Sequence, residues 1–118
     1  VVGASTKGVA VSDQALLVTF DGITTVHGFT FTGTYTGVAF DAAIGTGITI
    51  VDGIYSDTQF IWVASGADDK IYQFDKLGVY TGFSFDASAQ DTAIRGLTGD
   101  NQFLYMVGGI AESVFTYE

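Results

Sequence analysis

Apolar and polar positions along this chain fall into short runs, and the runs recur. Leu16–Phe20, Phe60–Ala64 and Phe103–Val107 are apolar nearly end to end. That pattern predicts strands buried on both faces. Other runs alternate: Ile71, Gln73 and Asp75 against Tyr72 and Phe74, then Phe83 and Phe85 against Ser84. Alternation predicts strands with one wetter face. Val, Ile, Thr, Tyr and Phe fill these runs, as strands prefer. Ser-Asp, Asp-Gly, Ser-Gly and Gly-Gly steps punctuate them. No stretch sustains helical apolar spacing.

The order of the runs repeats. Asp13–Gly22 (DQALLVTFDG), Asp57–Gly66 (DTQFIWVASG) and Asp100–Gly109 (DNQFLYMVGG) align without a gap, their aspartates 44 and then 43 residues apart. Ala67–Asp75 aligns with Ile110–Glu118, and Tyr35–Asp41 (YTGVAFD) with Tyr80–Asp86 (YTGFSFD). Val26, His27 and Phe29 take the places of Ile71, Tyr72 and Phe74 after a one-residue deletion. Each unit predicts four strands. Strand A lies near Gly8–Ser12, Ile50–Ser56 and Ala93–Thr98; strand B is the apolar run. Strand C covers Thr25–Thr30, Lys70–Asp75 and Ser113–Glu118, and strand D covers Tyr35–Phe40 and Tyr80–Phe85. A period in the low forties is that of one four-stranded β-propeller blade. The expectation is an all-β chain of about eleven strands in three blades, the last lacking its outer strand. The whole of 1–118 is one propeller half, with repeats of approximately 7–51, 52–94 and 95–118. Val18, Trp62 and Tyr105 on strand B are expected between blades, with Leu16, Phe60 and Phe103 in the core.

Composition narrows the partners. Thirteen acidic residues face four basic ones, a net charge of −9, which disfavours nucleic acid and anionic lipid. No apolar run reaches the length of a membrane span. With no cysteine there is no disulfide and no thiolate metal site. No signal peptide is visible. A first residue of Val rather than Met implies a processed, trimmed or incomplete chain. Localisation stays open, extracellular and virion-associated settings included.

Candidate chemistry is sparse. His27 is the only histidine and aligns with rings, Tyr72 and Phe115, so packing is the better reading of it. Ser12, Ser56 and Ser113 lack the strained elbow of a nucleophile. The adjacent Asp68 and Asp69 read as a solvated turn, with a weak calcium site as the minor alternative. Asp13, Asp57 and Asp100 read as turn closers that accept backbone N–H bonds, as do Asp41 and Asp86. Gly45–Gly47 and Gly108–Gly109 precede no helix and are not phosphate loops. No catalytic residue, cofactor site or metal site is expected. One position changes character from repeat to repeat: Lys7, Asp52 and Arg95 each precede a strand A glycine. Strand A lines a propeller's central channel, so these three form a candidate charge network or small-ligand site.

The unit GIYSDTQFIWVASGADDKIYQFDKLGVYTGFSFD resembles the repeats of NHL- and YVTN-type six-bladed propellers. Gly53, Ile54 and Asp57 match their opening, Phe60–Ala64 the apolar strand, and Ser65-Gly66 the small-residue turn. Tyr72–Asp75 match the strand ending in Phe-Asp, and Gly78–Phe85 the outer strand. The resemblance implies the fold; such propellers include scaffolds, interaction platforms and calcium-dependent lactonases. Neither the convergent acidic channel residues of those hydrolases nor the proline of many such repeats is present.

Three blades do not close a ring. The expectation is a non-enzymatic scaffold protomer, two copies of which form one six-bladed propeller by homodimerisation. The edge strand Ser113, Val114, Phe115 and Tyr117 is the expected oligomer contact, with Val1–Ser5 of the partner close to it. A carbohydrate- or receptor-binding propeller taking a glycan or protein ligand is the alternative. A hydrolase with a central-channel site is the weaker one.

Overall fold

The computed structural model describes residues 5–13, 15–110 and 114–117. They form eleven strands in three antiparallel sheets, and no helix occurs among the described residues. Blade 1 holds β1 (Thr6–Ser12), β2 (Ala15–Phe20), β3 (Thr25–Phe29) and β4 (Tyr35–Asp41). Blade 2 holds β5 (Gly53–Ser56), β6 (Phe60–Ser65), β7 (Lys70–Asp75) and β8 (Tyr80–Asp86). Blade 3 holds β9 (Ile94–Gly99), β10 (Leu104–Gly108) and β11 (Val114–Tyr117). Each sheet is a meander whose strands neighbour one another in chain order. The first strands line up side by side, β1 on β5 and β5 on β9. This is the arrangement of propeller blades around a hub. Gly53 permits it: a Cβ there would lie 2.9 Å from the backbone N of Leu97.

The ladders correct the alignment of the first repeat. Gly8 pairs Thr19, Gly53 pairs Ala64 and Gly96 pairs Val107. Leu17 pairs Gly28 as Trp62 pairs Gln73 and Tyr105 pairs Thr116. Blades 1 and 2 are therefore offset by a uniform 45 residues, and blades 2 and 3 by 43. No deletion is needed before His27, but strand B slips by one. Leu17, not Val18, is the counterpart of Trp62. Ser12, not Asp13, stands where Asp57 and Asp100 do. The hairpins themselves are equally long: Ser12 pairs Ala15 as the Asp57 N–H donates to the Phe60 carbonyl at 2.9 Å, so the aspartate of the first repeat, Asp13 with φ 53°, sits one place later in the same two-residue turn.

A slip of one residue exchanges the faces of a strand. Leu17 and Thr19 turn toward blade 2 and are buried, while Leu16 and Val18 face away and are half-buried. In blade 2 the fully buried β6 side chains Ile61 and Val63 face blade 1, while fully buried Ala64 joins the second seam. Phe60, Trp62, Phe103 and Tyr105 are half-buried rather than core residues. The seam between blades 1 and 2 joins Ala10, Leu17 and Val26 to Ile54, Ile61, Val63 and Phe74. The next seam joins Ala64 and Ile71 to Ile94, Leu104 and Met106, with Tyr55, Trp62, Phe85, Phe115 and Tyr117 packed around them.

Candidate functional site

Three places concentrate chemistry. The first is the inner hollow at the hub, about 470 Å³, which Lys7, Asp52 and Arg95 line together. Lys7 Nζ lies 2.8 Å from Asp52 Oδ1 and 3.4 Å from Asp21 Oδ1. The Asp52 carboxylate is 9% exposed as a residue and also accepts the Gly66 N–H at 2.6 Å. Its hydrogen bond holds the Lys7 ammonium above the usual lysine range, with burial opposing. Arg95 makes no ion pair among the described residues. Among the described residues the sign alternation thus yields one tight pair, with the guanidinium outside it, not a ring of bridges.

The second place is the cleft between blades 2 and 3, about 270 Å³. Tyr55, Trp62, Phe83 and Phe85 line it from blade 2, and Phe103, Leu104 and Tyr117 from blade 3. Its lower rim is built by the β5–β6 and β9–β10 turns. Asp57 Oδ1 accepts the N–H groups of Gln59 and Phe60 at 2.7 and 2.6 Å, and Oδ2 accepts Trp62 Nε1–H at 3.0 Å. Asp100 repeats the device: Oδ1 accepts from Gln102 and Phe103 at 3.1 and 2.9 Å, and Oδ2 from the Tyr105 hydroxyl at 2.9 Å. Each aspartate closes its turn and orients a ring five residues on. Burial works against the Asp57 carboxylate, but the Trp62 and backbone bonds outweigh it and hold its pKa below the usual range. Two bonds tie the blades here. The Asn101 N–H donates to Tyr55 Oη at 3.0 Å, and Asn101 Oδ1 accepts the Thr58 N–H at 3.1 Å. The pairing of Asp with a donor ring at +5 was visible in repeats two and three; the misaligned Asp13 and Val18 hid it.

The third place is the open face of blade 1. Val9 and Val11 are 62% and 61% exposed there, and Leu16, Val18, Phe20, Phe29 and Tyr35 line a shallow apolar hollow. His27 belongs to this face. Its ring lies 5.6 Å from those of Phe20 and Tyr35, and buried Nδ1 has no partner. Burial lowers its pKa.

The remaining residues read from the sequence are structural. Asp41 accepts from the Thr24 hydroxyl and the Ala43 N–H, and Asp86 from the Ser88 N–H. Asp68 accepts the Tyr72 hydroxyl proton. Burial, then Asp68, Asp86 and Asp91, raise the Asp69 pKa, and no acidic or His cluster among the described residues is arranged to hold a metal ion. Of the edge residues, Val114 is 65% exposed, whereas Phe115 and Tyr117 turn inward onto the second seam. The rings of Tyr117 and Phe85 lie 4.9 Å apart. Ser113, Ala111, Glu112, Glu118 and Val1–Ala4 lie outside the described residues.

No protein-family model and no curated protein matches the chain. Solved propellers do. Glutaminyl cyclase from Myxococcus xanthus matches with TM-score 0.79 at 17% identity, over 98% of this chain and 56% of that one. Virginiamycin B lyase from Staphylococcus aureus, solved in an inactive form with quinupristin, matches with TM-score 0.67 at 18% identity, over 98% and 41%. The computationally designed Ika4 protein matches with TM-score 0.54 at 13% identity, over 97% and 91%. These likenesses show the β-propeller fold alone. The chain spans about half or less of the two enzymes' length.

Proposed function

We propose that this chain is a non-enzymatic scaffold protomer whose propeller is completed by a second copy of itself. The observation that carries the reading is the open face of blade 1, where Val9, Val11 and Tyr35 are 62%, 61% and 45% exposed. In blade 2 the equivalent face, with Ile54, Ile61 and Val63, is buried against blade 1. Soluble proteins seldom leave such a face to water. At the other end, blade 3 exposes Val107 and Val114 at 41% and 65%. A two-fold rotation that seats each blade 3 on the other copy's blade 1 covers both faces at once. It makes six blades, within the usual four to eight, where three copies would make nine. Light scattering on the 118-residue chain tests this: a dimer is expected, and a monodisperse monomer at micromolar concentration overturns it.

The alternative is a propeller that binds a carbohydrate or receptor. The half-buried Trp62 and the amides of Asn101 and Gln102 in one cleft favour it. A glycan array separates the two. The hydrolase reading rests on fold analogy alone, and an activity screen with and without chelator tests it.

A further inference from the structure

The geometry points to the cleft between blades 2 and 3 as a binding site for a small quaternary ammonium head group of the choline type. The argument starts from what lines it. Six rings border the hollow: Tyr55, Trp62, Phe83, Phe85, Phe103 and Tyr117. Phe83 is 50% exposed, so the aromatic wall is reachable from solvent. Ring faces carry negative quadrupole potential and attract cations, quaternary ammonium groups above all.

Charge favours the same class. Among the described residues Asp57 is the one ionisable carboxylate in the lining, and no Lys or Arg lines the cleft. No described Lys or Arg pairs with Asp57. Lys76 reaches it only through its field, its ammonium donating to Ser12 and Ser56. The carboxylate keeps its charge, as its lowered pKa implies. Lys76 offsets part of its negative field from outside the lining, but no cation lies inside the cleft, in a chain of net charge −9. Anions are repelled, and a cation gains from both the field and the rings.

Hydrogen-bond capacity suits a trimethylammonium group better than a sugar. Both Asp57 oxygens are already used by the Gln59, Phe60 and Trp62 donors. Asn101 Oδ1 is taken by Thr58 and the Tyr117 hydroxyl by Gln90. The donors left for a ligand are the Asn101 amide nitrogen, the Gln102 side chain and the Tyr55 hydroxyl proton, and the remaining lone pairs of Asp57 Oδ2, Asn101 Oδ1 and Tyr117 Oη lie on atoms already held by the turns. A pyranose would have to share those engaged atoms, and each hydroxyl buried without a partner costs roughly 1–3 kcal/mol. A trimethylammonium group needs none. The cleft lies within one chain, so the site does not depend on a second copy.

Trp62 is the only tryptophan, so its fluorescence reports on this cleft directly. Titration of the full chain with choline chloride should change the emission saturably. The uncharged alcohol in which carbon replaces the choline nitrogen should bind about tenfold more weakly, the difference a cation–π contribution supplies. Phe83→Leu, on the outermost strand, should weaken choline binding about tenfold with circular dichroism unchanged. Equal binding of the alcohol and choline would reduce the cleft to an apolar hollow and overturn the proposal. Saturation by a methyl glycoside with none by choline would assign it to carbohydrate. No response to any of the three would make it a packing feature.

Discussion

The two seams of this molecule are built from the same repeat and end differently. Between blades 1 and 2 the contact is mainly aliphatic and closed. Ile54, Ile61, Val63 and Phe74 of blade 2 are 3%, 1%, 0% and 0% exposed. Between blades 2 and 3 the rim is aromatic and open, with Tyr55, Trp62, Phe85 and Tyr117 only half-buried around a cleft. The difference lies in polar handles. Tyr55 Oη, Trp62 Nε1 and Tyr117 Oη must each reach a partner. They find Asn101, Asp57 and Gln90 at the periphery. Rings held at the rim by their polar ends cannot collapse inward. At the counterpart of Trp62 in blade 1 stands Leu17, which has no such tether and is 8% exposed. Along the strand B position of Trp62, an untethered aliphatic seals the seam and a tethered ring leaves a hollow.

The largest effect should separate the seams outright. Phe74 stacks with Phe40 and Tyr80 at ring separations of 5.5 and 5.7 Å in the first seam. Phe74→Ala should cost about 3–5 kcal/mol. Phe83→Ala, at the mouth of the open cleft, should cost less than about 1 kcal/mol. Urea unfolding of both variants checks the contrast, and equal losses would break it.

A second contrast lies at the inner ends of the seams. Lys7 of blade 1 is paired with the nearly buried Asp52 of blade 2, but Arg95 of blade 3 has no such bridge among the described residues. Lys7→Met leaves a buried carboxylate short of a partner and should cost roughly 1–3 kcal/mol. Arg95→Met should stay within about 0.5 kcal/mol. A cost for Arg95→Met as large as that for Lys7→Met would show that it, too, seals its seam.

How much of this was legible follows from what each kind of signal encodes. The strands and blades stand out because Tyr35–Asp41 and Tyr80–Asp86, or Ile71–Phe74 and Val114–Tyr117, keep both spacing and chemistry. The faces of β2 do not. Asp13 matches Asp57 by identity, but strand pairing decides register: Ser12 holds the place of Asp57 in a hairpin of the same length, so matching the aspartates shifts strand B by one residue. The half-burial of Trp62 is hidden from the sequence for a related reason. Apolarity along β6 shows that both faces touch something, not which face is dry. The Lys7–Asp52 contact needed only the glycine register, whereas the cleft needed two turns from different blades, and local pattern carries no such information.

The Asp57 tether makes the open seam sensitive to acid. Its pKa is lowered from 3.8 in the folded chain, the Trp62 bond and two backbone bonds outweighing burial. A depressed carboxylate contributes stability that is present above the unfolded value and lost as pH falls through the folded one. Asp57→Asn keeps an oxygen for the turn but loses the acceptor for Trp62 Nε1–H. It should cost about 1 kcal/mol at neutral pH and flatten the decline in stability below about pH 4. Unfolding curves in the acid range, with Trp62 emission as the probe, check both.

The smallest effect is expected on a face that is no seam within one chain. His27 sits on the open side of blade 1 between Phe20 and Tyr35, with Nδ1 buried and unpartnered. Its counterpart in blade 2, Tyr72, is 5% exposed inside the first seam. Burial lowers the His27 pKa below 6.5, so the folded chain favours the neutral ring. Stability from this group is therefore present above the unfolded value near 6.5 and is lost as pH falls through the folded one. His27→Phe removes an unpaired nitrogen and keeps a ring, so at pH 7.5 it should change stability by less than about 0.5 kcal/mol. The variant's stability should also vary less between pH 7 and pH 5 than the parent's. If a second copy covers blade 1, the same substitution should leave the dimer intact or strengthen it, because the nitrogen then has even less access to water. A marked loss of stability or of dimer in His27→Phe, measured by thermal unfolding and light scattering at pH 7.5, would show that the imidazole makes a polar contact and that this face is not simply a seam awaiting an apolar cover.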